Sequence, residues 1–299
     1  MALRPKQLQG KTRAPRAMLR DTVLRALYRW YPFAHGKNLL RRRIFRIIRG
    51  VHLGRDDFGN ALLLDLGNFI DATVFLDGVF EREGLDRLWN WISRTNCTQF
   101  VDVGANIGLY ALRMAHHPSI LKVHCFEPDP RNHAQLMGNI FLSGNAGKIE
   151  AHCIAASDTD GVAPFYVSRD ATELDQGKLN TGTSALRLQT NRHAEVNAVK
   201  VRMCRLDTIL PIVNEALAIK IDVEGHEAEV LEGAAGLLAR NNCFILVEVF
   251  DANVPRVDSI MANLGYGTVA EFAVPDYRLY TKLKHSEEPP AACQVRGTP

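Results

Sequence analysis

Short apolar runs alternate with amphipathic stretches along the central part of the chain. Phe100, Val101 and Val103 flank Asp102, and a glycine-bearing turn then leads into Leu109, Leu112 and Ala115 at helical spacing. This pattern predicts a buried strand, a tight turn and a helix start. A second apolar strand runs from Lys122 to Phe126, and Pro128 and Pro130 open a helix near Asn132–Leu142 that ends at Ser143, Gly144 and Asn145. A third strand is expected at Ile149–Ala155 and a fourth at Leu217–Ile221, followed by a helix carrying Val230, Leu231, Ala234, Leu237 and Leu238. A fifth strand, Phe244–Phe250, is apolar except for Glu248, and a helix near Val257–Leu264 precedes a hairpin of Thr268–Ala273 and Tyr277–Lys282. Strand–helix alternation that ends in a hairpin predicts an α/β fold. Its sheet is doubly wound and mostly parallel, with an antiparallel terminal strand.

The flanks read differently. Ala61–Leu64 and Thr73–Leu76 are candidate strands between polar turns, and Leu85, Leu88, Trp89 and Ile92 mark a helix at Leu85–Ser93. Residues 161–206 form an insertion with strand-like Val162–Val167, a polar loop, and alternating Val199, Val201 and Met203. Near the start, Leu19, Val23, Leu24, Leu27, Tyr28 and Tyr31 make an apolar stripe on a basic helix, and Leu39, Leu40, Ile44, Ile47 and Ile48 repeat it around Arg41, Arg42 and Arg43. The expected organisation is a basic arm, partly disordered or helical, at 1–50, a strand/helix extension at 51–98, the core at 99–283 and a tail at 284–299.

Charge sharpens the view of the arm. The first 50 residues hold 14 Lys/Arg and one acid, Asp21; since the whole chain is +3, the remainder carries −10. Two readings stay open: the arm contacts anionic lipid or another polyanion, or it is a solvated basic helix that packs its stripe on the domain. An organelle import sequence is a fainter third. No apolar run reaches the roughly 18–20 residues of a membrane span. Six scattered cysteines without Cys-x-x-Cys spacing point to free thiols, a reducing cytoplasmic setting and no structural zinc.

The turn after the first core strand suits an anionic or polar ligand, because the first N–H groups of a helix are unpaired and its dipole is positive there. A dinucleotide fingerprint needs glycines at relative positions one, three and six, which here hold Gly104, Asn106 and Leu109. A nicotinamide dehydrogenase therefore fails on spacing. Glu127 stands at the tip of the second strand, 19 positions after Gly108, where an acid accepts hydrogen bonds from ribose hydroxyls. Asp222, Glu224 and His226 lie at the tip of the fourth strand, and Lys220 shares a face with Asp222 by strand alternation. His226 is either the group that takes a proton or a helix-start histidine facing solvent. Asp222, Glu248 and Asp251 would be the set for a divalent ion, but no His/Cys ligand motif supports one and no metal is assigned.

Three motifs in order, Asp102-Val-Gly-Ala-Asn-Ile-Gly108, Phe126-Glu-Pro-Asp-Pro130 and Lys220-Ile-Asp-Val-Glu-Gly-His-Glu227, make residues 70–282 resemble the FkbM-type S-adenosylmethionine-dependent methyltransferases. The resemblance implies a class I, Rossmann-like fold with S-adenosyl-L-methionine as cofactor. Its methionine part is then expected on Asp102, Val103, Gly104, Ala105 and Asn106, with Gly108 allowing close approach and Glu127 on the ribose. By the same resemblance Ala156, Ser157 and Asp158 lie near the adenine, although Asp158 also reads as an ordinary surface turn. A Gly-x-x-Glu segment ending at Glu81 would close over the cofactor end of the sheet or simply pack there, and Thr183 and Ser184 would lie near the acceptor. Asp222, Glu224 and His226 are the catalytic candidates. Family members O-methylate hydroxyls of sugars and secondary metabolites, and the Asn/Asp-Pro-Pro-aromatic segment of base-modifying amino methyltransferases is absent after the fourth strand. The expected partner is a small-molecule or glycan hydroxyl, without sequence-specific nucleic acid. The rival expectation is a non-catalytic scaffold acting through the basic arm.

Overall fold

The computed structural model describes residues 15–167, 180, 184–186, 197–271 and 277–282. Two units result: Met1–Phe80 with Arg169–Thr181, and the rest of the chain from Glu81.

In the first unit, α1 (Pro15–Trp30) and α2 (Ala34–Ile47) precede an antiparallel hairpin of β1 (Val51–Arg55) and β2 (Ala61–Asp65), then α3 (Phe69–Asp77). The strand expected at Thr73–Leu76 is instead the middle of α3. An unbroken apolar run fits a buried helix as well as a buried strand, and the caps decide: the Asn68 side chain accepts from the Ile70 N–H, and Gly78 ends the helix at φ 86°. Tyr28 donates to Asp77 Oδ1 at 2.6 Å and the Arg29 side chain donates to the Leu76 carbonyl at 3.1 Å, joining α1 to α3. Leu19, Val23, Leu27 and Trp30 remain exposed on α1.

In the second unit, α4 (Arg82–Thr95) leads into β3 (Gln99–Val103), α5 (Leu109–Ala115), β4 (Lys122–Phe126), α6 (Pro130–Ser143) and β5 (Ile149–His152). After β6 (Ala155–Ala156), β7 (Gly161–Val167) and β8 (Asn197–Cys204) come α7 (Leu206–Ile209), β9 (Ala216–Ile221), α8 (Glu227–Gly233), α9 (Ala235–Arg240) and β10 (Asn242–Glu248). The unit closes with α10 (Val254–Asn263), β11 (Tyr266–Glu271) and β12 (Tyr277–Lys282). Seven strands form one sheet in the order β11-β12-β10-β9-β3-β4-β5. All pairs from β10 to β5 are parallel, and β12 is antiparallel to both neighbours.

The expected third strand is split in two. Its first part, β5, is an edge of the large sheet, while β6 pairs with β8 in a separate three-stranded sheet with β7. Odd-numbered residues Val101, Val103, Leu217, Ile219, Ile221, Ile245 and Val247 form a core with Val230, Leu231, Leu237, Val257 and Met261 of the helices on one face. Even-numbered residues of β3, β9 and β10 face α4 and α5: Trp91 stacks on Phe244 at 4.5 Å, and Lys220 lies over the Tyr110 ring at 4.7 Å. Cys97, Cys125, Cys153, Cys204 and Cys243 are free thiols. No helix among the described residues is long and apolar enough to cross a membrane.

Candidate functional site

The chain runs outward from β3 through β4 to β5 and then returns to β9 on the other side of β3, so the strand order reverses between β3 and β9. Open parallel sheets take ligands outside the carboxyl ends of the strands at such a switch point. Register decides which side chains arrive there. Asp102 lies opposite Lys220, and Glu248 opposite Tyr277. Because alternate residues share a face, Asp102, Lys220, Asp222 and Glu248 all come to the α4/α5 side.

Lys220 is 3% exposed and its Nζ donates to Asp222 Oδ2 at 2.8 Å. Burial, the largest influence, would lower its pKa, yet Asp222, Asp102 and Glu81 together raise it. Glu81 precedes α4 in a left-handed conformation, φ 51°, and accepts hydrogen bonds from Tyr277 at 2.8 Å and Tyr110 at 3.1 Å. Burial raises the Glu81 carboxyl. Glu248 is pushed up to about 10, first by burial and then by facing Asp222. Asp102 is fully buried; one oxygen accepts the Ala111 N–H at 3.0 Å and the other, Oδ1, has no partner. Burial, opposed by Lys220, holds it up at about 6. The result is a buried lysine ringed by four carboxyl groups, of which Glu248 keeps its proton at neutral pH.

Beside this cluster lies the turn from Val103 to Gly108. The Gly104 and Ala105 N–H groups both donate to the Phe126 carbonyl, at 2.9 and 3.1 Å, and the Asp222 N–H donates to the Val103 carbonyl at 3.0 Å. Gly104 has φ +81°, and a Cβ there would lie 1.8 Å from the Asp222 carbonyl oxygen, so no other residue fits. Gly108 has φ +92°, and a Cβ would meet Leu136 at 2.5 Å. Glu127, 5% exposed, accepts the Asn106 N–H on Oε2 and the Asp129 N–H on Oε1, each at 2.8 Å. Burial nevertheless pushes it up to about 8, against those two donors. The Asn106 Oδ1 is buried without a partner.

A third group of residues joins the β6 end to α8. Ala156 and Ser157 are buried, and the Ser157 N–H donates to the Cys204 carbonyl at 3.0 Å. Ser157 Oγ donates to Asp158 Oδ1 and meets His226 Nε2, both at 3.0 Å. His226 is buried rather than facing solvent, with Nδ1 3.5 Å from Glu229 Oε2. Glu224 and Gly225 are consecutive left-handed residues, φ 54° and 96°, which turn the chain sharply between Asp222 and α8.

The residues singled out from sequence therefore fall into three groups. Asp102 and Asp222 meet at Lys220; Val103, Gly104, Ala105, Asn106 and Gly108 form the turn that Glu127 grips; Ala156, Ser157, Asp158 and His226 lie together. Glu224 sits in the loop between the first and third groups. Ser184 is buried, and Thr183 lies outside the described residues. Tyr110 and Tyr277 belong to the cluster and were not among the sequence candidates. Tyr110 was within reach, two places past Gly108, but Tyr277 arrives only through the β10–β12 register.

The profile of the Methyltransferase FkbM domain matches residues 102–267, more than half of the chain. Among similar proteins, the 31-O-demethyl-FK506 methyltransferase FkbM of Streptomyces tacrolimicus is 28% identical over 226 residues, covering 68% of this chain and 83% of its own length. Methyltransferase sdnD of Sordaria araneosa is 26% identical over 208 residues, covering 60% and 79% respectively. The crystal structure of methyltransferase FkbM from Methylobacillus flagellatus KT aligns with a TM-score of 0.43 at 15% identity, over 89% of this chain and 60% of that one. The chain belongs to the FkbM methyltransferase family, with a class I α/β fold and S-adenosylmethionine as its methyl donor.

Proposed function

We propose that the protein O-methylates a hydroxyl group of a sugar or secondary metabolite. The observation that carries this reading is the set of Glu81, Asp102, Asp222 and Glu248 around the single Lys220, beside the glycine turn. Glu248, held at about 10, keeps its proton at neutral pH, but the acceptor oxygens gathered at the carboxyl end of the sheet suit a ligand with a sulfonium and an ammonium group and disfavour the pyrophosphate of a dinucleotide. Unpartnered Asp102 Oδ1 and Asn106 Oδ1 leave polar capacity on the same side. When bound, S-adenosylmethionine supplies an electrophilic methyl group for in-line displacement. Glu127 then holds the ribose hydroxyls, the Val103–Gly108 turn holds the methionine portion, and Ser157 and Asp158 face the adenine.

A hydroxyl acceptor must lose its proton as the methyl group arrives. Asp222, partly exposed with one oxygen held by Lys220, is the residue that takes it in this reading. His226, whose Nε2 meets Ser157, joins the adenine segment to α8. The relative from Streptomyces tacrolimicus is named for an O-demethyl substrate, which agrees with oxygen as the acceptor atom. The experiment is transfer of a labelled methyl group to matched hydroxyl and amine acceptors. Labelling of hydroxyls, with kcat reduced about 100- to 10,000-fold in Asp222→Asn, supports the proposal; labelling of amines alone, or an unchanged kcat, refutes it.

The exposed stripe of α1 favours a further reading, contact with an anionic membrane surface. Leu19, Val23, Leu27 and Trp30 are 67%, 49%, 54% and 81% exposed at helical spacing, on an arm that carries 14 basic residues in its first 50. Apolar side chains that insert and cations that meet headgroups are the two terms of interfacial binding. Sedimentation with vesicles containing phosphatidylserine, but not with neutral vesicles, is the expected result, lost in a Leu27→Glu/Trp30→Glu variant. Equal sedimentation with both vesicle types, or no effect of the substitutions, contradicts it.

A further inference from the structure

Away from the glycine turn, β4 and the edge strand β5 bring together His124, Glu150 and His152. His124 lies opposite Glu150 in the parallel register, and His152 is two places further along β5, on the same face. One ligand atom from each residue lies within 4.8 Å of the others. His124 Nδ1 is 4.0 Å from Glu150 Oε2, and His152 Nε2 is 3.6 Å from Glu150 Oε1. These distances are too long for hydrogen bonds, and both ring nitrogens are buried without a partner.

The orientation of His124 strengthens the case. The residue is 5% exposed, and its other nitrogen, Nε2, lies 3.0 Å from Gln99 Oε1. With the Gln99 amide oxygen turned toward the ring, the proton sits on Nε2 and the lone pair of Nδ1 is left on the side of the Glu150 carboxylate. His124 Nδ1 is buried without a donor, and the half-exposed Glu150 carboxylate that it faces offers negative charge beside that lone pair, so a cation placed between them is drawn by both. A hydrogen-bond acceptor holding the far N–H of a ligating histidine is the usual outer-shell arrangement of metal sites.

We propose that His124 Nδ1, His152 Nε2 and the Glu150 carboxylate bind a divalent transition-metal ion of the zinc class. Two imidazoles and one carboxylate are a ligand set that Zn²⁺ accepts, with water in the fourth position. Ligands about 2.05 Å from a tetrahedral ion are about 3.3 Å apart, so the three ligand atoms, within 4.8 Å of one another here, close on an ion by side-chain rotation. The opposing group is Lys122, whose Nζ lies 2.8 Å from Glu150 Oε2; the metal competes with it for that oxygen. A bound ion would pin the edge strand to β4 next to Glu127. His152 already stacks on Phe126, with ring centroids 4.9 Å apart, and its carbonyl accepts the Glu127 N–H at 3.0 Å.

The test is calorimetric titration of the untagged, chelator-treated full chain with ZnCl₂, alongside thermal unfolding with and without the metal. One equivalent should bind, with a rise in Tm of about 5 °C near 100-fold excess over Kd. Affinity should fall at least about tenfold in both His152→Ala and Glu150→Gln, and should rise in Lys122→Met, where the competing cation is gone. Both Glu150 and Lys122 are half exposed, so these variants keep the fold. The site is refuted if neither wild type nor Lys122→Met binds zinc, or if either His152→Ala or Glu150→Gln retains wild-type affinity.

Discussion

Glu127 offers a prediction whose size can be worked from the structure. Burial holds its carboxyl up at about 8 despite hydrogen bonds from two backbone N–H groups. Ribose hydroxyls are donors in this pairing and need the ionised, acceptor-only form. The free protein thus holds a proton on Glu127 near neutrality, and binding must expel it, so affinity falls as the pH is lowered. With a free-state value of about 8, about one-tenth of the protein is ionised near pH 7 and about nine-tenths near pH 9, which makes the apparent Kd roughly tenfold weaker at the lower pH. Glu127→Gln keeps one acceptor oxygen and removes the titration. It should weaken binding by about 1.5–3 kcal/mol, roughly 10- to 150-fold, near pH 9, and should flatten this part of the profile. The assay is calorimetric titration with S-adenosylhomocysteine, which carries the same ribose and lacks the labile sulfonium, at several pH values between about 6.5 and 9. Wild-type affinity that does not change over this range, or an equal slope in the variant, refutes the reasoning.

The same group affects folding. A carboxyl raised in the folded state stabilises the protein most below its ordinary value of 4.5 and loses that contribution as the pH rises through about 8; urea unfolding should show the wild type losing stability relative to Glu127→Gln between pH 5 and 9. Lys220→Met removes the cation from a site containing Asp222, Asp102 and Glu81 and should cost about 3–5 kcal/mol near pH 8. The loss should shrink near pH 5, where Asp102, at about 6, is already protonated, and a constant loss would contradict the charge argument. Gly104→Ala, with φ +81° and a Cβ 1.8 Å from a carbonyl oxygen, should abolish cofactor binding and lower Tm strongly, whereas Gly144→Ala, at φ +73° with nothing within 4 Å, should cost only about 1 kcal/mol. Comparable Tm values for these two variants would show that the approach of Gly104 to Asp222 is unimportant.

Much of the second unit was legible in the sequence because its strands are short apolar runs and its turns are marked by Gly, Pro and Asn. Glycine spacing separated the Gly104 turn from a dinucleotide fingerprint, and the place of Glu127 just past the end of β4 was readable from the apolar run before it. What escaped depends on contacts between residues far apart in sequence. Tyr277 reaches Glu81, 196 positions away, through an antiparallel register that local patterning does not encode. The run at Thr73–Leu76 is apolar on every side, so alternation could not separate helix from strand, and the caps at Asn68 and Gly78 decided it. His124, Glu150 and His152 come from two neighbouring strands, so ligand spacing along one segment could not reveal them.

The most direct test of the account is the crystal structure of the protein with S-adenosylhomocysteine bound. The account predicts both ribose hydroxyls on the Glu127 carboxylate, the adenine against Ser157 and Asp158, and the sulfur end beside the Val103–Gly108 turn, opening toward Asp222. A nucleoside bound elsewhere, or one that leaves Glu127 holding only the Asn106 and Asp129 N–H groups, would contradict it.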